Sequence, residues 1–64
     1  MEPGVIRLAM VGVRVQDVDH LPVPSIFIAR HGLAFVDTHL TAEDRETVLD
    51  ALFDQALGWA DRAA

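Results

Sequence analysis

The sequence has no cysteine, so neither a disulfide bond nor a thiolate metal site can stabilise its 64 residues. A chain of this length, taken as one domain over residues 1–64, buries only about 60% of the surface that its unfolded form exposes. We therefore expect a thin margin of stability. Hydrophobic residues make up 52% of the chain, against a usual share of about 45 to 50%. This excess predicts that some apolar surface lies in an interface, most simply that of a symmetric homodimer.

Basic residues are scarce. Five basic residues face ten acidic ones, which gives a net charge of −5, and no basic stripe offsets it. This balance opposes binding to phosphate backbones and predicts no nucleic-acid partner. Apolar runs fall far short of the roughly 20 residues that span a bilayer, and the amino terminus lacks the pattern of a signal peptide. We therefore expect no membrane association and a cytoplasmic location.

Residues 41–62 are predicted to form one amphipathic helix. At about 100° per residue, carboxylates gather on one side of it and bulky apolar groups on the other. The acidic face comprises Glu43, Glu46, Asp50, Asp54 and Asp61, and the apolar side comprises Val48, Leu49, Leu52, Phe53, Ala56, Trp59 and Ala60. Thr41 and Asp44 approximate a capping box, which specifies where the helix begins.

Three strands are predicted upstream of this helix. Residues 5–15 are rich in β-branched side chains and alternate at their far end, which favours a strand. Residues 18–24 hold two prolines and are typical of an extended connector. Residues 25–37 contain two short apolar runs separated by His31 and Gly32, a spacing that suits a tight hairpin. The predicted fold class is α+β: a three-stranded antiparallel sheet followed by a C-terminal amphipathic helix packed on one face, in the order β-β-β-α.

Two features indicate where a second copy would bind. The predicted helix spans about 31 Å and each hairpin strand only about 20 Å, so the helix overhangs the hairpin and carries Trp59 on its free end. The first half of the predicted first strand is apolar on both faces, which is typical of a strand that other parts of the protein, or a partner, cover on both sides. The predicted self-association interface comprises Ile6, Leu8, Met10 and Trp59.

The candidates for catalysis or metal binding are His20, His31 and His39, together with Asp37. A zinc site needs three or four ligands at one point, and the predicted elements place these histidines in a connector, a turn tip and a helix entry. We therefore expect polar loop histidines, with no metal, no cofactor and no enzymatic activity; the alternative is an enzyme or metal protein that uses the three histidines. Arg45, on the apolar side of the helix, is expected to form a structural ion pair, with its guanidinium directed towards Asp37 or the C-terminal end of a strand.

Residues 32–57 resemble a segment of the ImmA/IrrE-type zinc peptidases. In that segment a strand ending in an aliphatic residue and Asp leads through Leu-Thr-x-x-x-Arg into the active-site helix. The matching positions are Val36, Asp37, Leu40, Thr41, Arg45, Leu49 and Ala56. The family's helix carries His-Glu-x-x-His, two metal ligands with a general base between them, where this chain has Ala51, Leu52 and Gln55. The resemblance therefore implies a catalytically empty relative whose frame serves binding or dimerisation.

These observations lead to one preferred functional hypothesis and two alternatives. The preferred hypothesis is a non-enzymatic protein–protein interaction or regulatory domain that associates with itself. The first alternative is an acidic binding module, such as an antitoxin-like or inhibitor protein, that docks a basic partner on the acidic face. The second is the catalytically empty metallopeptidase relative.

Overall fold

The computed structural model describes residues 2–63. Two helices and three strands make up this part of the chain. In chain order they are α1 (Pro3–Met10), β1 (Arg14–Val18), β2 (Ser25–Ile28), β3 (Leu33–Asp37) and α2 (Ala42–Ala63), with a short 3-10 turn, Ala29–His31, between β2 and β3. The predicted α+β class, with a three-stranded sheet and a C-terminal helix, is confirmed.

The predicted first strand, residues 5–15, is wrong over its first half, because that half forms α1. Pro3 stands in the first turn of α1, where its fixed φ suits a helix and its missing N–H removes no helical hydrogen bond. Gly12 follows the helix with a φ of 83°, and the amide of Val13 donates to the carbonyl oxygen of Leu8 at 2.8 Å. This turn stops the helix, and the strand begins only after it.

The central strand of the sheet is β3, in the order β1-β3-β2. β1 pairs with β3 in parallel, and β2 pairs with β3 antiparallel. The prediction of a wholly antiparallel sheet is therefore wrong. Residues 19–24 connect β1 to β2 and contain Pro22 and Pro24, which lack the backbone donor that a tight hairpin uses. The connection instead leaves a gap one strand wide, and β3 fills it.

Both helices lie on the same face of the sheet, and the core forms between the two layers. The buried residues are Leu8, Val13, Ala34, Val36, Leu49, Leu52 and Ala56. A Cβ atom built on Gly4 of α1 would lie only 3.0 Å from the Cβ atom of Leu49 on α2. The absence of a side chain at Gly4 therefore lets the two helices approach closely.

The long helix α2 extends past the sheet at its carboxyl end. The hydroxyl of Thr41 accepts a hydrogen bond from the amide of Asp44 at 3.1 Å, as expected for a cap at the start of the helix. With 22 residues, α2 is about 33 Å long, whereas strands of five residues span only about 17 Å. Ala56 is the last buried residue in the described part of α2, and Trp59 is 46% exposed. Neither helix in residues 2–63 is both long and apolar enough to cross a lipid bilayer.

Candidate functional site

Alternation along the central strand gives the sheet two different faces. Ala34 and Val36 are fully buried beneath the helices. Since successive side chains of a strand point to opposite faces, Leu33, Phe35 and Asp37 belong to the face that the helices do not cover. The side chains of this second face are absent from the buried core cluster and from the apolar groups packed against it.

The strand register identifies the neighbours on that second face. Phe35 lies between Gln16 of β1 and Ile26 of β2, and Leu33 lies between residues 14 and 28. Directly paired residues share a face. The open face, as we call it, therefore comprises Arg14, Gln16, Val18, Ile26, Ile28, Leu33, Phe35 and Asp37.

The open face is apolar on the side of β2 and β3. Ile26, Ile28, Leu33 and Phe35 form adjacent pairs there, and Ile26 is 39% exposed although it lies within a strand. Single exposed apolar residues are common on protein surfaces, whereas a contiguous patch on an uncovered sheet is typical of a docking surface. The sequence reasoning missed this patch, because its location depends on which face the helices cover.

Two opposite charges mark the two ends of the open face. Arg14 stands at the start of β1 and Asp37 at the end of β3. Within residues 2–63, Arg14 takes part in none of the three ion pairs, and the carboxylate of Asp37 accepts a hydrogen bond from the amide of His39 at 3.2 Å. Four residue steps along the strands separate the two charges by about 13 Å. They are therefore too far apart to pair within one chain.

The predicted self-association interface is only partly exposed. Leu8 has no exposed surface, so its assignment to an interface is wrong: on a helix, rather than a strand, it points into the core. Ile6 and Met10 of the same helix are 42% and 80% exposed, and Trp59 of α2 is 46% exposed. These three side chains lie on two separate helices, whereas the residues of the open face lie on one continuous sheet.

The predicted acidic face lies on the outside of α2. All five of its residues, Glu43, Glu46, Asp50, Asp54 and Asp61, are exposed. Asp50 is paired with Arg7 of α1, at 3.6 Å between Nη1 and Oδ1. The guanidinium of Arg7 also lies 4.5 Å from the ring centre of Phe53, a distance suited to a cation–π contact. One carboxylate of the acidic face therefore has a partner within the fold.

Arg45 binds two carboxylates, neither of which is the predicted Asp37. Its Nε atom lies 2.8 Å from Glu2 and its Nη1 atom 2.7 Å from Asp17. The predicted pairing with Asp37 is therefore wrong, whereas the alternative, a position at the C-terminal end of a strand, is confirmed, because Asp17 is the penultimate residue of β1. The hydrogen bond to Asp17 raises the pKa of Arg45, burial opposes the rise, and Glu2 adds to it. The stability linked to a raised pKa is complete below the unfolded-state pKa of arginine and is lost only above the folded-state value. At neutral pH, Arg45 therefore ties the chain's start and β1 to α2.

The structure brings two of the three histidines together. His20 follows β1 and His39 follows β3, and their ring centres lie 4.7 Å apart. His20 has a φ of 59°, an uncommon value for a residue with a side chain. Spacing alone could not reveal this contact, which depends on β1 and β3 being parallel. His31 lies near Arg14 at the opposite, amino ends of these strands.

The histidine pair does not gain a third ligand. Within residues 2–63, no group of three or more His, Cys, Asp or Glu side chains is placed to hold a metal ion. The hydroxyl of Thr38 donates to the carboxylate of Asp19 beside the pair. This contact joins the turn after β3 to the turn after β1.

The positions that correspond to the zinc-peptidase motif do not share one environment. Ala51 and Gln55 are exposed, whereas Leu52 is 1% exposed and lies in the core. An apolar residue at position 52 therefore contributes to packing between α2 and the sheet. The resemblance to that family stays a prediction from sequence. Comparison of the chain with protein-family models, with curated proteins and with solved structures gives no match.

Proposed function

We propose that this protein is a non-enzymatic protein–protein interaction domain that associates with itself through the open face. One observation carries the proposal: both helices cover one face of the sheet, and the other presents a contiguous apolar patch. A sheet buries its apolar face against another layer in stable folds. In a dimer the open face of a second copy supplies that layer.

The energetics of a small chain favour such an arrangement. In the described part of one copy, only seven side chains are buried in the core. Each apolar side chain that leaves water contributes about 25 cal/mol per Å² of buried surface. Any partner that binds only the folded chain also stabilises it by mass action. Self-association therefore adds stability where the isolated fold has little.

The charge distribution permits two copies to meet at this face. The chain carries a net charge of −5, which opposes association in general. The acidic face of α2, however, belongs to the helix layer on the other side of the sheet. The open face carries one arginine and one carboxylate, and their charges cancel. Contact at the open face therefore avoids the strongest repulsion between copies.

Self-association is expected to weaken when an apolar residue of the open face becomes polar. Ile26→Thr keeps a β-branched side chain, which suits a strand, but removes apolar surface from both copies. We expect an affinity lower by at least about fivefold, equivalent to about 1 kcal/mol. Sedimentation velocity on samples from about 10 µM to about 1 mM measures the change.

The control for this experiment is Val23→Thr. Val23 is 44% exposed but lies in the connection between β1 and β2, so this variant is expected to associate as the wild type does. A wild-type chain that keeps the mass of one copy over the whole concentration range contradicts the proposed function. Circular dichroism of each variant confirms that it remains folded.

A second candidate function is the docking of a basic partner on the acidic face. Glu43, Glu46, Asp54 and Asp61 are exposed and form none of the ion pairs found in the described residues. Four carboxylates along one helix create a field that favours a basic surface. This field supports docking of a basic partner as a second candidate function beside self-association.

A basic peptide tests this second candidate. An arginine-rich peptide of about ten residues is titrated into the labelled protein and followed by NMR, at low and at moderate salt. We expect shifts along α2, and a loss of binding of about tenfold for Glu46→Lys combined with Asp54→Lys. Val23→Lys adds a positive charge in the connection between β1 and β2, away from the helix, and is expected to weaken binding far less than the α2 variant does. Equal binding by the wild type and the α2 variant excludes docking at this face.

A further inference from the structure

We propose that two copies pack open face to open face in one orientation, with their β3 strands antiparallel and Arg14 of each copy paired with Asp37 of the other. This inference rests on the proposed function and names the partner and geometry of the same surface. A symmetric pair of stacked sheets places a two-fold axis between the layers. Two such axes are available, and the charges distinguish them.

An axis perpendicular to the strands reverses the strand direction between layers. Gln16, Phe35 and Ile26 lie side by side in the register and form one row across the sheet. This axis places each residue of the row over the same residue of the second copy. Arg14, at the start of β1 in one copy, then lies over the end of β1 in the other copy. Asp37 of that other copy ends the neighbouring strand, β3. Neighbouring strands are about 4.8 Å apart and stacked sheets about 10 Å apart. The long side chain of Arg14 spans that separation.

An axis parallel to the strands has the opposite effect on the charges. It places Asp37 over Asp37 of the second copy, and Leu33 over Leu33 of the second copy. Arg14 then lies over Ile28, because β1 and β2 flank β3 on its two sides. Like charges in contact and an arginine over an isoleucine both oppose binding. The positions of the two charges therefore favour the antiparallel arrangement.

The size of the open face indicates the strength of the dimer. Three strands of about five residues cover roughly 14 by 17 Å, or about 240 Å² in projection. Stable complexes bury about 800 Å² per partner. We therefore expect weak, reversible association at high concentration. In so small an interface, the two ion pairs have a large share in choosing the orientation.

Charge reversal tests the pairing. Arg14→Asp and Asp37→Arg are each expected to weaken self-association by about tenfold, because two attractive contacts become repulsive in each dimer. A mixture of the two variants restores both contacts. Native mass spectrometry of the mixture is therefore expected to show more mixed dimers than random pairing gives. Misfolding of either variant cannot produce this rescue. A random mixture, with neither variant weakened, contradicts the pairing.

Cysteine cross-linking tests the orientation independently, and the absence of native cysteine makes it unambiguous. Gln16→Cys lies at the two-fold axis only in the antiparallel arrangement, and Leu33→Cys only in the parallel one. We expect a disulfide dimer for Gln16→Cys under mild oxidation and little for Leu33→Cys. The reverse result overturns the inference and leaves self-association intact. A monomeric wild type overturns the proposed function as well.

Discussion

Leu8→Ala is expected to lower the free energy of unfolding by about 3 to 4 kcal/mol, within the range for buried leucines. Leu8 has no exposed surface and lies in the core contributed by α1. At about 0.05 to 0.15 kcal/mol per residue, a chain of this size has a total stability of only about 3 to 10 kcal/mol. The variant is therefore expected to lose at least about a third of the total stability of the chain. Urea denaturation followed by circular dichroism measures the loss.

Met10→Ala is the matched control for Leu8→Ala. Met10 lies on the same helix and is 80% exposed, so its removal should change the stability by less than about 0.5 kcal/mol. The comparison also tests the secondary structure, because residues two apart share a face in a strand but not in a helix. Similar losses for both variants contradict the helical assignment of this segment.

The C-terminal helix could be predicted from the sequence because its signals are local. Thr41 provides the cap, and the segregation of carboxylates from apolar side chains repeats over several turns. The prediction began at residue 41, and the structure begins the helix at Ala42. The overhang of Trp59 followed from comparing lengths of elements. These inferences needed no knowledge of which strands are neighbours.

The N-terminal helix could not be predicted from the same kind of pattern. It has eight residues, too few to be stable in isolation, and Val5 and Ile6 favour a strand by their branching. Packing of Leu8 into the core outweighs that local preference. A usable signal was present nonetheless: Pro3 near the start and Gly12 after the end follow the order that begins and ends many helices.

The candidate site depended on information that no local pattern contains. The side chains of the open face are defined by the faces that the helices cover and by the insertion of β3 between β1 and β2. The same insertion brings His20 to His39 and places Asp17 within reach of Arg45. Pairing between strands distant in sequence is decided by the fold as a whole. The sequence could therefore suggest self-association as a hypothesis, but it could not locate the open face.

Gly32→Ala is expected to destabilise the protein by about 3 kcal/mol or more, and Gly12→Ala by only about 1 kcal/mol. Both glycines have positive φ values, 59° and 83°, so both variants strain the backbone. A Cβ atom on Gly32 would collide with the carbonyl oxygen of Gly12, whereas one on Gly12 meets nothing within 4 Å. The larger loss expected for Gly32→Ala therefore reflects the steric conflict with Gly12 in addition to backbone strain. Thermal and urea unfolding of both proteins give that difference.

The close approach of these glycines also fixes the start of the parallel strands. The amide of Arg14 donates to the carbonyl oxygen of Gly32 at 2.8 Å, and this contact holds Arg14 beside Leu33 in the register. Since register decides which side chains face outward, displacement of Gly32 moves Arg14 relative to the open face. We therefore expect any folded fraction of Gly32→Ala to associate less than Gly12→Ala does. Equal stability and equal association for the two variants would show that this approach sets neither the fold nor its docking surface.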